Sequence, residues 1–261
     1  MENISIIKIG GNIIDNEENL ASFLNAYAAV EGKKILIHGG GKLATKMAAD
    51  LNIPQQMIDG RRITDAATLK IVTMVYAGYI NKNIVAALQS KNIQALGICG
   101  ADANIIRAHK RIHASTDYGF VGDIDVVDSK QIVQLLDAGL SLVVAPITHD
   151  GAGQLLNTNA DTMAQAIATA ISTVYEVSLV YSFEKKGVLS DIHNNDSVIP
   201  VIHPENYASL KASGQVNEGM IPKLDNAFEA LQNGVNRVII GDALDIEKLI
   251  AGTAGTTIQK N

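Results

Sequence analysis

The chain has 261 residues, 47% of them apolar, and a formal net charge of −6. That length buries a full core, either as one large α/β domain or as two closely joined lobes. The acidic balance, without a long charge run, excludes non-specific binding to nucleic acid or to an anionic membrane surface. A single cysteine, Cys99, leaves no intrachain disulfide framework and suits a reducing compartment. Glu2, Asn3 and Lys8 interrupt the N-terminal apolar residues, so the pattern is not that of a signal peptide. No stretch is read as approaching the ~20 apolar residues of a membrane span. The expected location is the cytoplasm.

In chain order, an Ile-rich strand at 4–9 runs into Gly10-Gly11 and is followed by a helix over 17–30. A second strand at 34–38 ends in Gly39-Gly40-Gly41 and opens a helix over 43–51. A long helical pattern covers 65–90, then strand 95–99, helix 129–138, strand 141–145 and helix 158–171. Strands at 177–181 and 237–240 bracket a helix over 221–233. Continuous apolar strands separated by amphipathic helices predict a mostly parallel sheet covered on both faces. Alternation over 104–123 around Tyr118-Gly119 suggests a hairpin flap. A seam falls near 172–174, so two lobes are expected, about 1–172 and about 173–261. The stripe Ile71, Val72, Met74, Val75, Tyr76 and Ile80 is broad enough for either an ordinary buried helix or a homodimer face.

The two glycine turns carry the chemistry. Glycine lets the backbone approach an anion, and consecutive free N–H groups make a concave donor site. With Lys8 before Gly10-Gly11, and Lys223 after Gly219-Met220-Ile221-Pro222, the pattern points to phosphoryl transfer. Gly39-Gly40-Gly41-Lys42-Leu43-Ala44 also fits the loose dinucleotide pattern, which leaves Lys8-Ile-Gly-Gly unexplained. A P-loop fails because Leu43 follows Gly41-Lys42 and Leu36 holds the upstream glycine's place. In Asn157-Thr158-Asn159-Ala160-Asp161, one reading is a capped helix start, with Thr158 or Asn159 as the cap and Asp161 favouring the dipole. The other has Asn157 bind substrate and Asp161 orient cationic side chains. None of the six histidines forms a spaced metal cluster; His38 tightens its glycine turn, and the alternation around His109 reads as strand.

Lys8-Ile-Gly-Gly, His38-Gly-Gly-Gly, Gly60-Arg61-Arg62-Ile63-Thr64, Asn157-Thr-Asn-Ala-Asp161 and Gly219-Met-Ile-Pro-Lys223 occur in this order. Together they resemble the acetylglutamate kinases of arginine biosynthesis, within the amino-acid kinase family. Met74 to Lys82 and Gly255-Thr256 add to the resemblance, which covers essentially the whole chain. It implies a three-layer αβα sandwich with a mostly parallel central sheet and two lobes. The implied acylglutamate-binding lobe comes first and the nucleotide-binding lobe second.

The activity so implied is phosphorylation of the γ-carboxylate of N-acetyl-L-glutamate by ATP, with Mg2+ held mainly by phosphates and water and no protein metal ligand. Lys8, Lys223 and Asp161 would be catalytic. Gly10 and Gly11 would bind the phosphoryl group through the backbone. Gly40, Gly41, Arg62 and Asn157 would bind substrate, with Arg62 a bidentate clamp for its α-carboxylate. Ser182, Gly187, Gly219 and Met220 would bind nucleotide. The stretch 181–187 departs from the family's aspartate-containing turn, and Lys185 and Lys186 are either phosphate contacts or a solvated loop. N-Succinyl-L-glutamate is the alternative acceptor, with Arg107, His109, Lys110 and Arg111 either a cation for its tail or solvent-facing charge. The rivals are a kinase of the same fold acting on another acid, and a non-catalytic ATP or amino-acid sensor. Because the first strand begins by Ile4, an arginine-insensitive homodimer is expected.

Overall fold

Alternating strands and helices account for most of the chain in the computed structural model, which describes all residues except 59–60, 192, 213–215, 217–219 and 261. The first half holds β1 (Glu2–Ile9), α1 (Gly11–Ile14), α2 (Glu17–Ala29), β2 (Lys33–Ile37), α3 (Gly41–Asp50), β3 (Met57–Ile58), β4 (Arg61–Arg62) and α4 (Ala66–Thr73). A π-helical stretch, Met74–Ile80, leads into α5 (Asn81–Gln89), followed by β5 (Ala95–Cys99), β6 (Ile106–Lys110) and β7 (Gly122–Val127). Next come α6 (Ser129–Asp137), β8 (Ser141–Ala145), β9 (Ile147–His149), β10 (Leu155–Asn157) and α7 (Ala160–Ile171). The rest comprises β11 (Tyr175–Phe183), β12 (Val201–Ile202), α8 (Pro204–Ala212), α9 (Ile221–Gln232), β13 (Arg237–Asp242), α10 (Ile246–Ile250) and β14 (Thr256–Gln259).

The chain divides into two compact units, Met1–Ile35 with Ile167–Asn261, and Leu36–Ala166. The divisions fall inside β2 and α7. In the first unit the strand order is β12-β14-β13-β11-β1. β1 pairs in parallel with β11 over eight residues, from Glu2 opposite Tyr175 to Ile9 opposite Ser182. This pairing is why the N-terminal strand groups with the C-terminal segment, whereas the sequence suggested lobes of 1–172 and 173–261. Among the described residues, only the β13–β14 pair breaks the parallel pattern of this unit's sheet. Ile4, Ile6, Ile7, Ile9, Val177, Leu179 and Val180 are buried, as continuous apolar parallel strands require. The helix α2 begins at Asn16, whose side chain accepts from the Asn19 N–H, and ends on Lys34. That ammonium donates to the carbonyls of Tyr27, Ala28 and Val30, the groups a helix C-terminus leaves without intrahelical donors.

In the second unit β8 pairs in parallel with β5, and the order is β2-β8-β5. A separate sheet has the order β10-β9-β6-β7. Its β6–β7 hairpin answers the alternation over 104–123, but Tyr118-Gly119 is not its apex. Gly119 instead bridges to Thr64, whose N–H donates to the Tyr118 carbonyl at 2.9 Å and whose carbonyl accepts from the Phe120 N–H at 2.6 Å. The run Ala66–Gln89 corrects another expectation, because it does have the length and composition of a membrane span. Leu69, Ile71, Val72, Val75, Tyr76, Ile80, Ile84 and Leu88 on it are buried within the protein, as in a core helix.

Candidate active site

In the first unit, the end of β1 delivers Lys8 and then the glycines. The Gly10 N–H donates to the Ser182 carbonyl at 2.8 Å, and the buried Ser182 hydroxyl donates to the Lys8 carbonyl at 3.1 Å. A side chain at Gly10 would put its Cβ 3.3 Å from the Ser182 oxygen, whereas the space beside Gly11 is open. Ser182 therefore fastens the strand end to its neighbour and leaves one face of the turn uncovered. Open space over backbone N–H groups suits an anion.

Lys223 lies in the first turn of α9, which opens at Met220 with Pro222 in its first turn. Its ammonium sits over the Phe183 ring, 4.7 Å from the centroid, a cation–π contact that restricts a long side chain. Phe183 follows Ser182, so one strand end serves both Gly10 and Lys223. Sequence reading missed Phe183; nothing in its local pattern distinguishes it from a core aromatic.

Gly187 is packed against Thr256 and Val198. A Cβ there would lie 2.8 Å from the Thr256 hydroxyl and 2.9 Å from a Val198 methyl. The same hydroxyl accepts from the Val188 N–H at 2.8 Å. Lys186 pairs with Asp196 at 2.5 Å, and Lys185 reaches Asn195 at 3.4 Å, both on the exposed loop. Gly219, like Gly60 of the Gly-Arg-Arg motif, lies outside the described residues.

In the second unit, β2 ends before Gly39-Gly40-Gly41 and α3 begins at Gly41. Gly40 has φ +146°, and a Cβ there would stand 2.2 Å from Ile80 Cδ1 and 3.1 Å from the Tyr76 ring. Glycine is needed at this close approach. No side chain of the N-cap residue caps α3, and the positive end of its helix dipole lies at Gly40-Gly41.

Arg62 is buried and tied to this turn. Nη2 donates to the Gly41 carbonyl and the Thr45 hydroxyl, each at 2.9 Å, while Nη1 donates to Gln55 Oε1. Its guanidinium also faces the Tyr76 phenol, whose pKa burial pushes above the usual range despite that cation. The Asn157 amide donates to the Thr64 hydroxyl at 3.0 Å, and that hydroxyl donates to the Arg62 carbonyl at 3.1 Å. Gly40, Gly41, Arg62 and Asn157 are thus joined by one set of contacts around Thr64 and α3.

Asn159 is the cap of α7, accepting from the N–H groups of Asp161 at 2.8 Å and Thr162 at 3.0 Å. Thr158 instead bonds the Thr148 hydroxyl at 2.8 Å. Asp161 occupies the first helical turn, the position both readings of this motif give it, and the cap itself is Asn159. His109 lies on β6 and pairs with Asp125 at 2.7 Å. Arg111 pairs with Asp123, and Lys110 with Asp117 at 3.2 Å. Among the described residues, no three His, Cys, Asp or Glu side chains are grouped to hold a metal ion.

The chain is similar to known proteins along nearly its whole length. The model of the amino acid kinase family matches residues 3–242. The acetylglutamate kinase of Cytophaga hutchinsonii is 54% identical over 264 aligned positions, covering 100% of both chains. That of Bacteroides fragilis is 51% identical over 259, covering 99% of this chain and 98% of the relative. Among solved structures, smu.665 from Streptococcus mutans UA159 aligns with a TM-score of 0.78 at 25% identity, over 99% of each chain. By the length and continuity of these matches, the chain belongs to the amino acid kinase family.

Proposed function

We propose that this protein transfers the γ-phosphoryl group of ATP to the γ-carboxylate of N-acetyl-L-glutamate, yielding the acyl phosphate and ADP, a step of arginine biosynthesis. The observation that carries the reading is the buried Arg62 bound to the carbonyl of Gly41, which supports a carboxylate clamp beside a donor turn. The full-length similarity to acetylglutamate kinases supports this acceptor over other acids.

The chemistry asks little of a general base. A carboxylate acceptor with an ordinary pKa near ~4.3 is ionised at neutral pH. What remains is to align two anions and disperse charge on the transferring group. Lys8 and Lys223 supply that positive charge, and Asp161 orients cationic groups. The amides at Gly11 and Gly40–Gly41 donate to phosphoryl oxygens, while the Gly10 N–H, expected to join them, is held by the Ser182 carbonyl and shapes the turn instead. Arg62 holds the α-carboxylate, and Asn157 bonds the substrate nearby. Ser182, Gly187, Gly219 and Met220 belong to the nucleotide side. The open donor face at Gly11 fits a polyphosphate, and Mg2+ bound to phosphate oxygens and water would neutralise its charge. A homodimer in the cytoplasm is the working state in this reading.

The test is an ATP-dependent acyl-phosphate assay with hydroxylamine trapping, run on N-acetyl-L-glutamate. Hydroxamate formed only with both substrates present is the expected result. Folded protein that binds ATP but gives no hydroxamate would overturn the reading in favour of another acceptor or a sensor.

A further inference from the structure

Gly40 is backed by a chain of polar contacts that begins on another helix. The His38 ring, at the exit of β2, is fully buried. Its Nδ1 lies 2.8 Å from the Gly39 carbonyl oxygen, and its Nε2 lies 3.2 Å from the Asn81 side-chain nitrogen. That nitrogen also donates to the Val143 carbonyl at 2.9 Å. Lys82 Nζ donates to Asn81 Oδ1 at 3.1 Å and to the Gly97 carbonyl at 2.7 Å.

These partners settle the proton positions. Asn81 Oδ1 faces an ammonium and its nitrogen faces a carbonyl, which fixes the amide. His38 Nε2 must then accept from Asn81, so Nδ1 carries the proton and donates to the Gly39 oxygen. Burial, and the nearby Lys82 charge, bring the imidazole pKa down to about 4, in keeping with a neutral ring. No peptide among the described residues is cis. In a trans peptide the Gly39 carbonyl and the Gly40 N–H point in opposite directions. Anchoring the oxygen on the buried imidazole therefore turns the Gly40 N–H the other way.

We propose that His38 and Asn81 are positioning residues of the transfer step, aiming the Gly40 N–H at an oxygen of the transferring phosphoryl group. The proposal rests on the kinase reading above. Neither side chain touches substrate; both act through the Gly39–Gly40 peptide. Gly97 belongs to the same device, since a Cβ there would lie 2.0 Å from Asn81 Oδ1 and 2.9 Å from Lys82 Nζ.

Two substitutions separate positioning from packing. His38→Phe keeps the ring volume and removes both nitrogens. His38→Asn loses volume but places an amide N–H where Nδ1–H was. Packing alone ranks Phe above Asn; positioning ranks Asn above Phe. We expect His38→Phe to lower kcat by about 10- to 100-fold, a fraction of what losing a transition-state donor outright costs, with KM for both substrates nearly unchanged. His38→Asn should remain well above it. A second measurement, 15N NMR of the free protein, needs no activity. It should find Nδ1 protonated in wild type and the Gly40 amide resonance displaced in His38→Phe but not in His38→Asn. Should His38→Phe fail to fold, His38→Leu, which also removes both ring nitrogens, carries the same NMR test. A His38→Phe enzyme more active than His38→Asn, an unmoved Gly40 amide, or a proton on Nε2 would overturn the proposal. If wild type phosphorylates nothing, the kinase reading has failed, and the NMR results alone decide whether His38 orients this peptide.

Discussion

The Arg62 guanidinium and the Gly41 carbonyl are joined by a 2.9 Å hydrogen bond, so the residue we propose as the carboxylate clamp also holds the glycine turn. The same nitrogen bonds Thr45, one turn into α3, and Gln55 takes the other. A lysine ammonium cannot span this set, because its donors leave one point rather than a planar fork. Arg62→Lys should raise KM for N-acetyl-L-glutamate by about 10- to 100-fold, a cost of about 1.4 to 2.7 kcal/mol, with a smaller change in kcat. Steady-state kinetics at saturating ATP check this, and an unchanged KM would remove Arg62 from the carboxylate.

Lys8 extends from the strand end that Ser182 fastens through the Lys8 carbonyl. Replacing it with alanine leaves that backbone bond in place. The expected result is a folded enzyme with kcat reduced by roughly two to three orders of magnitude, as when one preorganised donor is lost. A Lys8→Ala protein turning over at the wild-type rate would show that its ammonium does not meet the transferring group.

Gly119 tests how the second unit holds Thr64. It has φ +71°, and a Cβ there would stand 2.2 Å from the Thr64 carbonyl oxygen, a backbone atom with little room to move. Gly119→Ala should cost about 2–5 kcal/mol, combining backbone strain with overpacking. Gly252→Ala is the control. Its φ is similar, +72°, but the nearest atom to a new Cβ is 3.9 Å away, so strain alone should cost about 1–2 kcal/mol. Urea unfolding compares the two, and equal losses would mean that the Thr64 approach is unimportant.

His38 predicts a pH dependence. Its folded pKa, about 4, lies below the ordinary 6.5, so between these values the unfolded chain binds a proton that the folded chain does not. Stability is therefore fully present above about pH 6.5 and declines as pH falls toward 4. The loss is on the order of 3 kcal/mol, after which this contribution levels off. Unfolding free energies measured across that range should fall more steeply for wild type than for His38→Asn. Parallel slopes would mean that the imidazole is protonated in the folded protein.

Much of this was legible in the sequence because it is local. Residues 4–9, 95–99 and 141–145 are apolar runs bounded by glycine or polar residues, and each is a strand. Gly40 and Gly41 announce a turn by type alone. The three-residue strands β9 and β10 were not read, since three positions cannot display a period. Phe183 under Lys223 and Asn81 beside His38 were also hidden, because each pair is brought together by folding across 40 or more positions of sequence. The seam near 172–174 was read from the chain's local organisation, whereas the division follows the long-range pairing of β1 with β11.

The π-helical stretch at Met74–Ile80 sets an angular phase. A regular helix carrying Leu69, Val72 and Tyr76 inward returns to that face near positions 83 and 87, at about 100° per residue. In this protein Asn83 is exposed, while Ile84 and Leu88 are buried together with Asn81. The wider turns delay the inward face by about one residue. That delay brings the polar Asn81 amide against the His38 ring. Rewinding these turns to a regular α-helix with no residue removed would rotate Asn81, Ile84 and Leu88 together by about 100° away from that face. The stretch works as a gearing tooth between a structural helix and a glycine turn, and a one-residue slip would disengage the two.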